Sequence, residues 1–321
     1  MILVMLIMSN KNYTRLLNKI DKDLLKIYNS GPQSLVQTYK YTLLGKGKRI
    51  RPLLTLLTSK SLNENYKKSY NAALAIEILH NFTLIHDDIM DNDSMRHGKQ
   101  TVHEKWDIST AIITGDAMLA ISLNILTNSK YNYKIIEAFN RGVLTVCEGQ
   151  ALDKEFEIKK SISEEQYLNM IEKKTSHLIA MSIEIGALVY GLNQKDVKKL
   201  FDFGLYIGKA FQIQDDFLEI MSNPKKMKKS LNSDIALGKK TYPIILCKQR
   251  NNKFITELMK IKDVKKIIKE LRKFIIKNNI DKTINEKIGK LYDEGLNFIK
   301  TVKFQNTELL DFVKLIKERK K

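Results

Sequence analysis

Apolar residues recur at three- and four-residue spacing along nearly the whole chain: in 13–27, 35–44, 52–61, 70–90, 107–127, 133–152, 164–190, 195–221, 241–248 and 254–278. That period gathers them on one face of an α-helix. Strand-like alternation is absent over any useful length. Only 4 prolines and 14 glycines in 321 residues argue against a turn-rich β architecture. Loops are marked by GKGKRIRP (45–52), NDSMRHGKQTVH (92–103) and SNPKKMKKSLNSDIALGKK (222–240). No repeat period stands out and no linker divides the chain. The expected fold is all-α, a single domain over 1–321 built as a bundle of about ten helices. Such bundles build metal and ligand sites from side chains that project inward from facing helices.

The net charge of +19 raises the question of nucleic acid. Lysine is spread from residue 11 to the C-terminus, and no nucleic-acid-binding motif accompanies it. Solvated lysine faces, with a general attraction for anionic small molecules, account for it, and no nucleic-acid partner is expected. Cys147 and Cys247 lie in apolar helical context without metal-ligand partners, so both are expected as buried, reduced thiols. The opening MILVMLIM is too short for a membrane span and lacks a basic leader and a cleavage site. Residues 1–12 are expected to be flexible or to contain a misassigned start, Met8 being the more ordinary one. A cytoplasmic protein without a membrane span is expected.

Two carboxylate clusters narrow the chemistry. In HDDIMDNDSMRHG (86–98), Asp87 and Asp91 stand one helical turn apart and share a face, with Asp88 beside the first. In AFQIQDDFLEIM (210–221), Asp215 and Glu219 repeat that spacing and Asp216 sits beside the first of them. Each cluster lies near the C-terminal end of an apolar helix. Carboxylates this close raise one another's pKa unless a positive charge sits among them. A carboxylate set without His or Cys favours Mg²⁺, which keeps waters and is completed by substrate phosphates. Basic residues follow each cluster, with Arg96 after the first and Lys225, Lys226, Lys228, Lys229, Lys239 and Lys240 after the second. Lys46, Lys48, Arg49 and Arg51 fill the early loop. A diphosphate held between Mg²⁺ and these cations, joined to a hydrocarbon in the apolar interior, is the implied ligand.

DDIMD followed by an Arg-containing loop and Gly98, GKGKRIRP upstream, and FQIQDDFLE with GKKTYP downstream resemble the trans-type isoprenyl diphosphate synthases. The family includes the farnesyl and geranylgeranyl diphosphate synthases. The resemblance runs from about residue 45 to 245 with the motifs in the expected order. It implies the isoprenoid synthase fold, with helices around a central cavity, and a homodimer. It also implies a site of three Mg²⁺ ions, two on Asp87 and Asp91 and one on Asp215, with Asp88, Asp216 and Glu219 as outer partners. By the same resemblance, Arg96, Lys174, Lys229 and Lys239 hold an allylic diphosphate. Lys48, Arg51 and His80 hold isopentenyl diphosphate, and Thr175 and Gln212 lie along the reacting bond. It also implies that the aromatic Phe82, five residues before Asp87, is the floor that limits chain length, with Thr83 beside it too small to close the cavity further, favouring C20 geranylgeranyl diphosphate with C15 farnesyl diphosphate next. The sequence departs from the family pattern at His97, where a second arginine is usual and a contact to isopentenyl diphosphate is expected. It departs also at Glu219 and Lys46.

Rival readings fit less well. A ferritin-like di-iron bundle needs a Glu-x-x-His motif on two helices, and only Glu77–His80 has that spacing. A class I terpene cyclase shares DDxxD, but the cations Lys48 and Arg51 count against it. A non-catalytic prenyl synthase subunit would be expected to lose metal ligands, and Asp87, Asp91 and Asp215 are all present. His86 and His103 are read as helix or loop hydrogen-bonding residues.

Overall fold

The computed structural model describes residues 10–45, 47–63, 65–129, 131–221 and 239–318. Four of its described helices begin where a side chain satisfies their first backbone donors. The Asn10 side chain accepts from Asn12 and Tyr13 to cap α1 (Lys11–Ile27). Helix α2 (Gln33–Leu43) follows Pro32, and α3 (Ile50–Asn63) carries Pro52 in its first turn, where no intrahelical donor is lost. Helix α4 (Tyr70–Met90) leads into a hairpin of β1 (Met95–Arg96) and β2 (Lys99–Gln100), then the short α5 (Val102–Lys105). Asp107 caps α6 (Ile108–Asn128), and α7 spans Tyr133–Ile158. A Ser163–Gln166 capping box starts α8 (Glu164–Ile171), which passes through a π turn (Glu172–Ser176) into α9 (His177–Leu188). Then come α10 (Gln194–Met221), α11 (Tyr242–Leu258), α12 (Val264–Lys277), α13 (Ile280–Ile299) and α14 (Glu308–Lys317).

These elements form two compact units, one drawn from Met1–Val143, Met181–Phe201 and Thr301–Arg319, the other from Leu144–Ala180 and Asp202–Lys300. The first unit is centred on α3 and α4. Helix α3 is buried without interruption from Pro52 to Ser59, so its apolar character continues all round. The Thr55 hydroxyl donates to Ser182 O at 2.9 Å and the Ser59 hydroxyl to Gly186 O at 2.8 Å, tying α3 to residues 181–188 of α9. Helix α14 closes the unit through Phe312, whose ring meets Tyr13 edge-on at 5.5 Å.

The second unit packs α8, the π turn and α10 with α11–α13. Arg272 of α12 donates from Nε to Ile220 O at 2.6 Å, satisfying a carbonyl at the end of α10. On α13, Ile280, Ile284, Ile288, Leu291 and Ile299 turn inward at helical spacing.

The all-α expectation holds, with differences that have physical causes. Helices α13 and α14 are additions to the predicted set, and each buries an apolar face at helical spacing, with Leu309, Phe312, Val313 and Ile316 on α14. The predicted helix over 254–278 is two: α11 ends at Leu258, and Asp263 caps α12 by accepting from Lys265 and Lys266. The predicted helix over 164–190 is interrupted by the π turn, and the loop over 92–103 contains a hairpin. Cys147 is exposed rather than buried, one position past the buried Val146 and hence about 100° around α7. Cys247 is buried as expected, and burial pushes its thiol up to about 12.

Gly186 marks a close approach of two backbones in the first unit, since a Cβ there would lie 2.6 Å from Thr55 O. Gly186→Ala must move backbone, at a cost of about 1–3 kcal/mol. A thermal melt should show a midpoint several degrees lower, and an unchanged midpoint would contradict the packing described.

Candidate active site

Helix α4 is buried along most of its length and then delivers its charges at its last turn. The end is a Schellman motif. Asn92 is left-handed at φ 52°, its N–H bonds Ile89 O at 3.2 Å, and the Asp93 N–H bonds Asp88 O at 2.9 Å. Asp91 N still bonds Asp87 O at 2.8 Å, so the helical spacing of the two carboxylates survives to the cap. Asp88 and Asp91 are only 4% and 6% exposed. Burial pushes the Asp88 carboxyl up to about 7, against the opposing pull of Arg96, whose Nε donates to it.

Arg96 is held in place by the hairpin. His97 and Gly98 have φ of 52° and 80°, the pair of positive values that a two-residue type I′ loop requires. The hairpin docks on the end of α2, where the Tyr41 hydroxyl donates to Gln100 O at 2.8 Å and Lys99 Nζ to Leu44 O at 3.3 Å. The Trp106 ring meets Tyr41 edge-on at 5.0 Å, and Lys105 lies 4.1 Å from the Tyr41 ring centroid. His97 sits exposed at the hairpin tip.

Arg51 and His80 form a second group, a hydrogen-bonded pair with a single cation. Arg51 Nη1 lies 3.0 Å from His80 Nε2. A guanidinium has only protons to offer, so Nε2 accepts and the imidazole proton is assigned to Nδ1. Burial, with Arg51 next, drives the His80 pKa well below its ordinary value, so the ring is neutral at physiological pH. Burial also lowers the Arg51 guanidinium to about 10, with Glu77 opposing, and it stays charged. Arg51 Nε and His80 Nδ1 are both buried and have no protein acceptor among the described residues. Two buried donors in that condition call for an anionic ligand. Lys48 is half-buried in the same loop.

The second motif lies in the other unit, near the end of α10. Asp216 is fixed from three sides: the Tyr167 hydroxyl at 2.6 Å, Gln212 Nε2 at 2.8 Å and the Tyr242 backbone N–H at 3.3 Å. Burial nevertheless pushes its carboxyl up to about 7, opposed by the Tyr167 and Gln212 hydrogen bonds. Gln212 accepts in turn from the Thr175 hydroxyl at 3.0 Å. The sequence-predicted Thr175, Gln212 and Asp216 are thus one hydrogen-bonded chain.

Thr175 and Lys174 sit in the π turn, a local widening that recurs at functional sites. Two glycine notches grip it. A Cβ on Gly149 would lie 2.2 Å from Lys174 N, and one on Gly208 would lie 2.4 Å from Ser176 Cα. The Ser176 hydroxyl donates to Ile171 O at 3.1 Å, five residues back. Lys174 Nζ pairs with Asp153 at 2.5 Å. Lys239 is half-buried just before α11, and Lys229 lies outside the described residues.

Phe82, buried on α4, packs edge-on against His86 with ring centroids 4.8 Å apart. His86 seats over Gly115 of α6, where a Cβ would lie 2.3 Å from its Nε2. Its Nε2 lies 3.3 Å from Ile112 O, in keeping with a hydrogen-bonding role. His103 differs from that expectation: its ring nitrogens make no hydrogen bond among the described residues. The Thr83 hydroxyl bonds His80 O at 2.8 Å. Glu77, which shares the Glu-x-x-His spacing with His80, is paired to Arg49 Nη1 at 2.7 Å.

Among the described residues, no three His, Cys, Asp or Glu side chains converge into a cage that would hold a metal unaided. The donor set still suits Mg²⁺. It is all carboxylate oxygen, and Asp88 and Asp216 are tied to Arg96 and to Tyr167 and Gln212, as outer partners would be. Sequence reasoning missed Asp153, Tyr167 and Tyr242. Asp153 lies in the charged stretch EGQALDKEFE, where nothing in the sequence singles it out, and nothing in the spacing of the two tyrosines signals a bond to Asp216.

Residues 32–275 match the polyprenyl synthetase family. A geranylgeranyl pyrophosphate synthase of Geoglobus acetivorans is 41% identical over 239 residues, covering 73% of this chain and 74% of the relative. A geranylgeranyl diphosphate synthase of Sulfolobus acidocaldarius is 38% identical over 265 residues, covering 79% and 80%. The crystal structure of a geranylgeranyl pyrophosphate synthetase from Pyrococcus horikoshii superposes with a TM-score of 0.87 at 29% identity, covering 99% of this chain and 98% of that one.

The raised Asp88 and Asp216 predict how pH governs cation binding. With their carboxyls pushed up to about 7, the charge that Asp88 and Asp216 offer a nearby cation falls as pH is lowered from 8 to 6. The rise in thermal midpoint on adding Mg²⁺ should therefore be larger at pH 8 than at pH 6. An equal or larger rise at pH 6 would contradict a role for Asp88 and Asp216 as outer partners of a cation.

Proposed function

The chain belongs to the polyprenyl synthetase family and is a prenyltransferase of isoprenoid biosynthesis, and on that premise we propose that it condenses isopentenyl diphosphate with an allylic diphosphate to make geranylgeranyl diphosphate. The observation that supports this reading is the buried Arg51–His80 pair, two of whose donors have no acceptor among the described residues. With its Nε2 lone pair engaged by Arg51, the neutral imidazole has only its Nδ1 proton to offer beside the charged guanidinium, which suits an anionic diphosphate.

On this reading Asp87, Asp91 and Asp215 would hold Mg²⁺, with Asp88, Asp216 and Glu219 as outer partners and three ions in all. When bound, the metal supplies charge that stabilises a departing diphosphate. Arg96, Lys174, Lys229 and Lys239 would hold the allylic diphosphate. Lys48, Arg51 and His80, with His97 at the hairpin tip, would hold isopentenyl diphosphate. The allylic C–O bond breaks with its electron pair leaving on the diphosphate. The isopentenyl double bond supplies the pair for the new C–C bond, and the released diphosphate takes the proton that is lost. The Thr175–Gln212 hydrogen bond would fix a polar edge along that bond without a protein nucleophile. The whole chain, 1–321, is read as one catalytic domain.

The reading extends to assembly. Helix α6 is long and apolar enough to cross a membrane by length and composition, with 28% of its apolar window buried. Ile108, Ile112 and Ile113 are exposed on it. A second copy of the chain covering that face, in a cytoplasmic homodimer, accounts for these residues without a lipid span.

Asp87→Ala and Asp215→Ala should each lower the condensation rate by about 100-fold or more with helicity retained, since each removes a group from a mainly electrostatic clamp. Either variant within tenfold of wild type would refute the site. Phe82→Ala should lengthen the products by one or more C5 units without abolishing turnover, read by chromatography of the dephosphorylated alcohols. An unchanged product distribution would place the floor elsewhere and remove the support for a C20 product.

A further inference from the structure

Among the described residues of the loop before α3, Arg49 is a cation that the proposed chemistry does not use. Arg49 is 6% exposed although Lys48 precedes it and Arg51 follows two residues later. Its guanidinium donates in four directions. Nε reaches Asp21 Oδ1 of α1 at 2.9 Å, and Nη1 reaches Glu77 Oε1 of α4 at 2.7 Å. Nη2 reaches Leu43 O at 2.6 Å and Gly45 O at 3.1 Å, at the carbonyl end of α2, where a cation also meets the favourable end of the helix dipole. Gly47 leaves room for it, since a Cβ there would lie 3.2 Å from Nη1.

Two features separate this cluster from ordinary packing. The Arg49 backbone is left-handed at φ 49°, a conformation that a long side chain adopts only when its surroundings over-determine it. The cluster is also parallel to the anion site. Glu77 and His80 stand three residues apart on α4, and Arg49 and Arg51 stand two apart opposite them, so the Arg49–Glu77 pair and the Arg51–His80 pair form successive rungs between the same two segments. A buried ion pair is not needed for stability as such, because apolar residues of similar volume often replace one without loss. What such residues cannot supply is a fixed direction.

We propose that Arg49 is a positioning residue for the isopentenyl diphosphate subsite, setting the placement of Lys48 and Arg51 against His80 without itself touching substrate. The inference rests on the assignment of Lys48, Arg51 and His80 to that diphosphate. Arg49→Met alone leaves Glu77 buried without its cation and should melt well below wild type. The double variant Arg49→Met/Glu77→Leu removes both charges and should recover most of that stability.

The steady-state constants of the recovered protein carry the test. KM for isopentenyl diphosphate should rise about tenfold or more, while KM for the allylic diphosphate stays within about twofold and kcat at saturation within about threefold. A merely structural role would alter the melt and leave that ratio of KM values alone. A folded double variant whose isopentenyl diphosphate KM matches wild type overturns the proposal. If the double variant does not fold, Arg49→Lys carries the same criterion, since an ammonium keeps the charge but cannot span four acceptors. Arg51→Met separates the two readings. An isopentenyl diphosphate KM raised by Arg51→Met but unmoved by the Arg49 variants rejects the positioning role alone. An unmoved KM in Arg51→Met rejects the subsite, and the role of Arg49 with it.

Discussion

A carboxylate taken out of water loses several kcal/mol of hydration unless donors or cations replace it, and Asp88 and Asp216 are both placed under that constraint at the ends of apolar helices. The two units answer it with different chemistry. Around Asp88 the replacement is ionic: a hairpin with two left-handed residues at its tip brings Arg96 onto the carboxylate. Around Asp216 it is neutral, from a phenol, an amide and a backbone N–H. Neither set brings the carboxyl back to its ordinary range, and both remain at about 7. Much of the surrounding architecture follows from these placements. Tyr41 and Trp106 brace the hairpin, and Gln212 links Asp216 to Thr175.

The arginines of the first unit show how one residue type serves opposite ends. Arg49 has all its partners in the protein, and Arg51 is left with a buried donor that has none among the described residues. Sequence position hardly separates the two, since both stand in one basic loop. Only the third dimension reveals that one meets Glu77 and the carbonyl end of α2 while the other meets a neutral His80. Charge counts therefore say little about which cation binds substrate. The complement of acceptors around each guanidinium says more.

Much of the fold was legible because α3, α4, α6 and α10 repeat their apolar residues at helical spacing, and such repetition survives any detail of packing. The carboxylate motifs were legible for a similar reason, since i, i+4 spacing fixes a shared face before any tertiary contact exists. What escaped was whatever depends on partners distant in sequence. Asp153 meets Lys174 across 21 residues, Tyr167 meets Asp216 across 49, and Arg49 meets Glu77 across 28. The exposure of Cys147 escaped because an apolar neighbourhood in sequence does not fix which side of a helix a residue occupies. Helices α13 and α14 carry the same helical period, Leu309, Phe312, Val313 and Ile316 recurring on one face of α14, and so were legible by the same rule.

The π turn at Glu172–Ser176 has a bearing on how this chain can be compared or altered. A π turn holds one more residue than the α-helix it interrupts, so the helical wheel drawn for α8 is out of phase with that for α9 by about one residue, or 100°. Aligning this stretch with an uninterrupted helix would assign Lys174 and Thr175 to the wrong side. Deleting any single residue between Ile171 and His177 would let the segment close into regular α-helix. The change would act as a rotation, turning one helix against the other while leaving composition, charge and apolar content almost untouched.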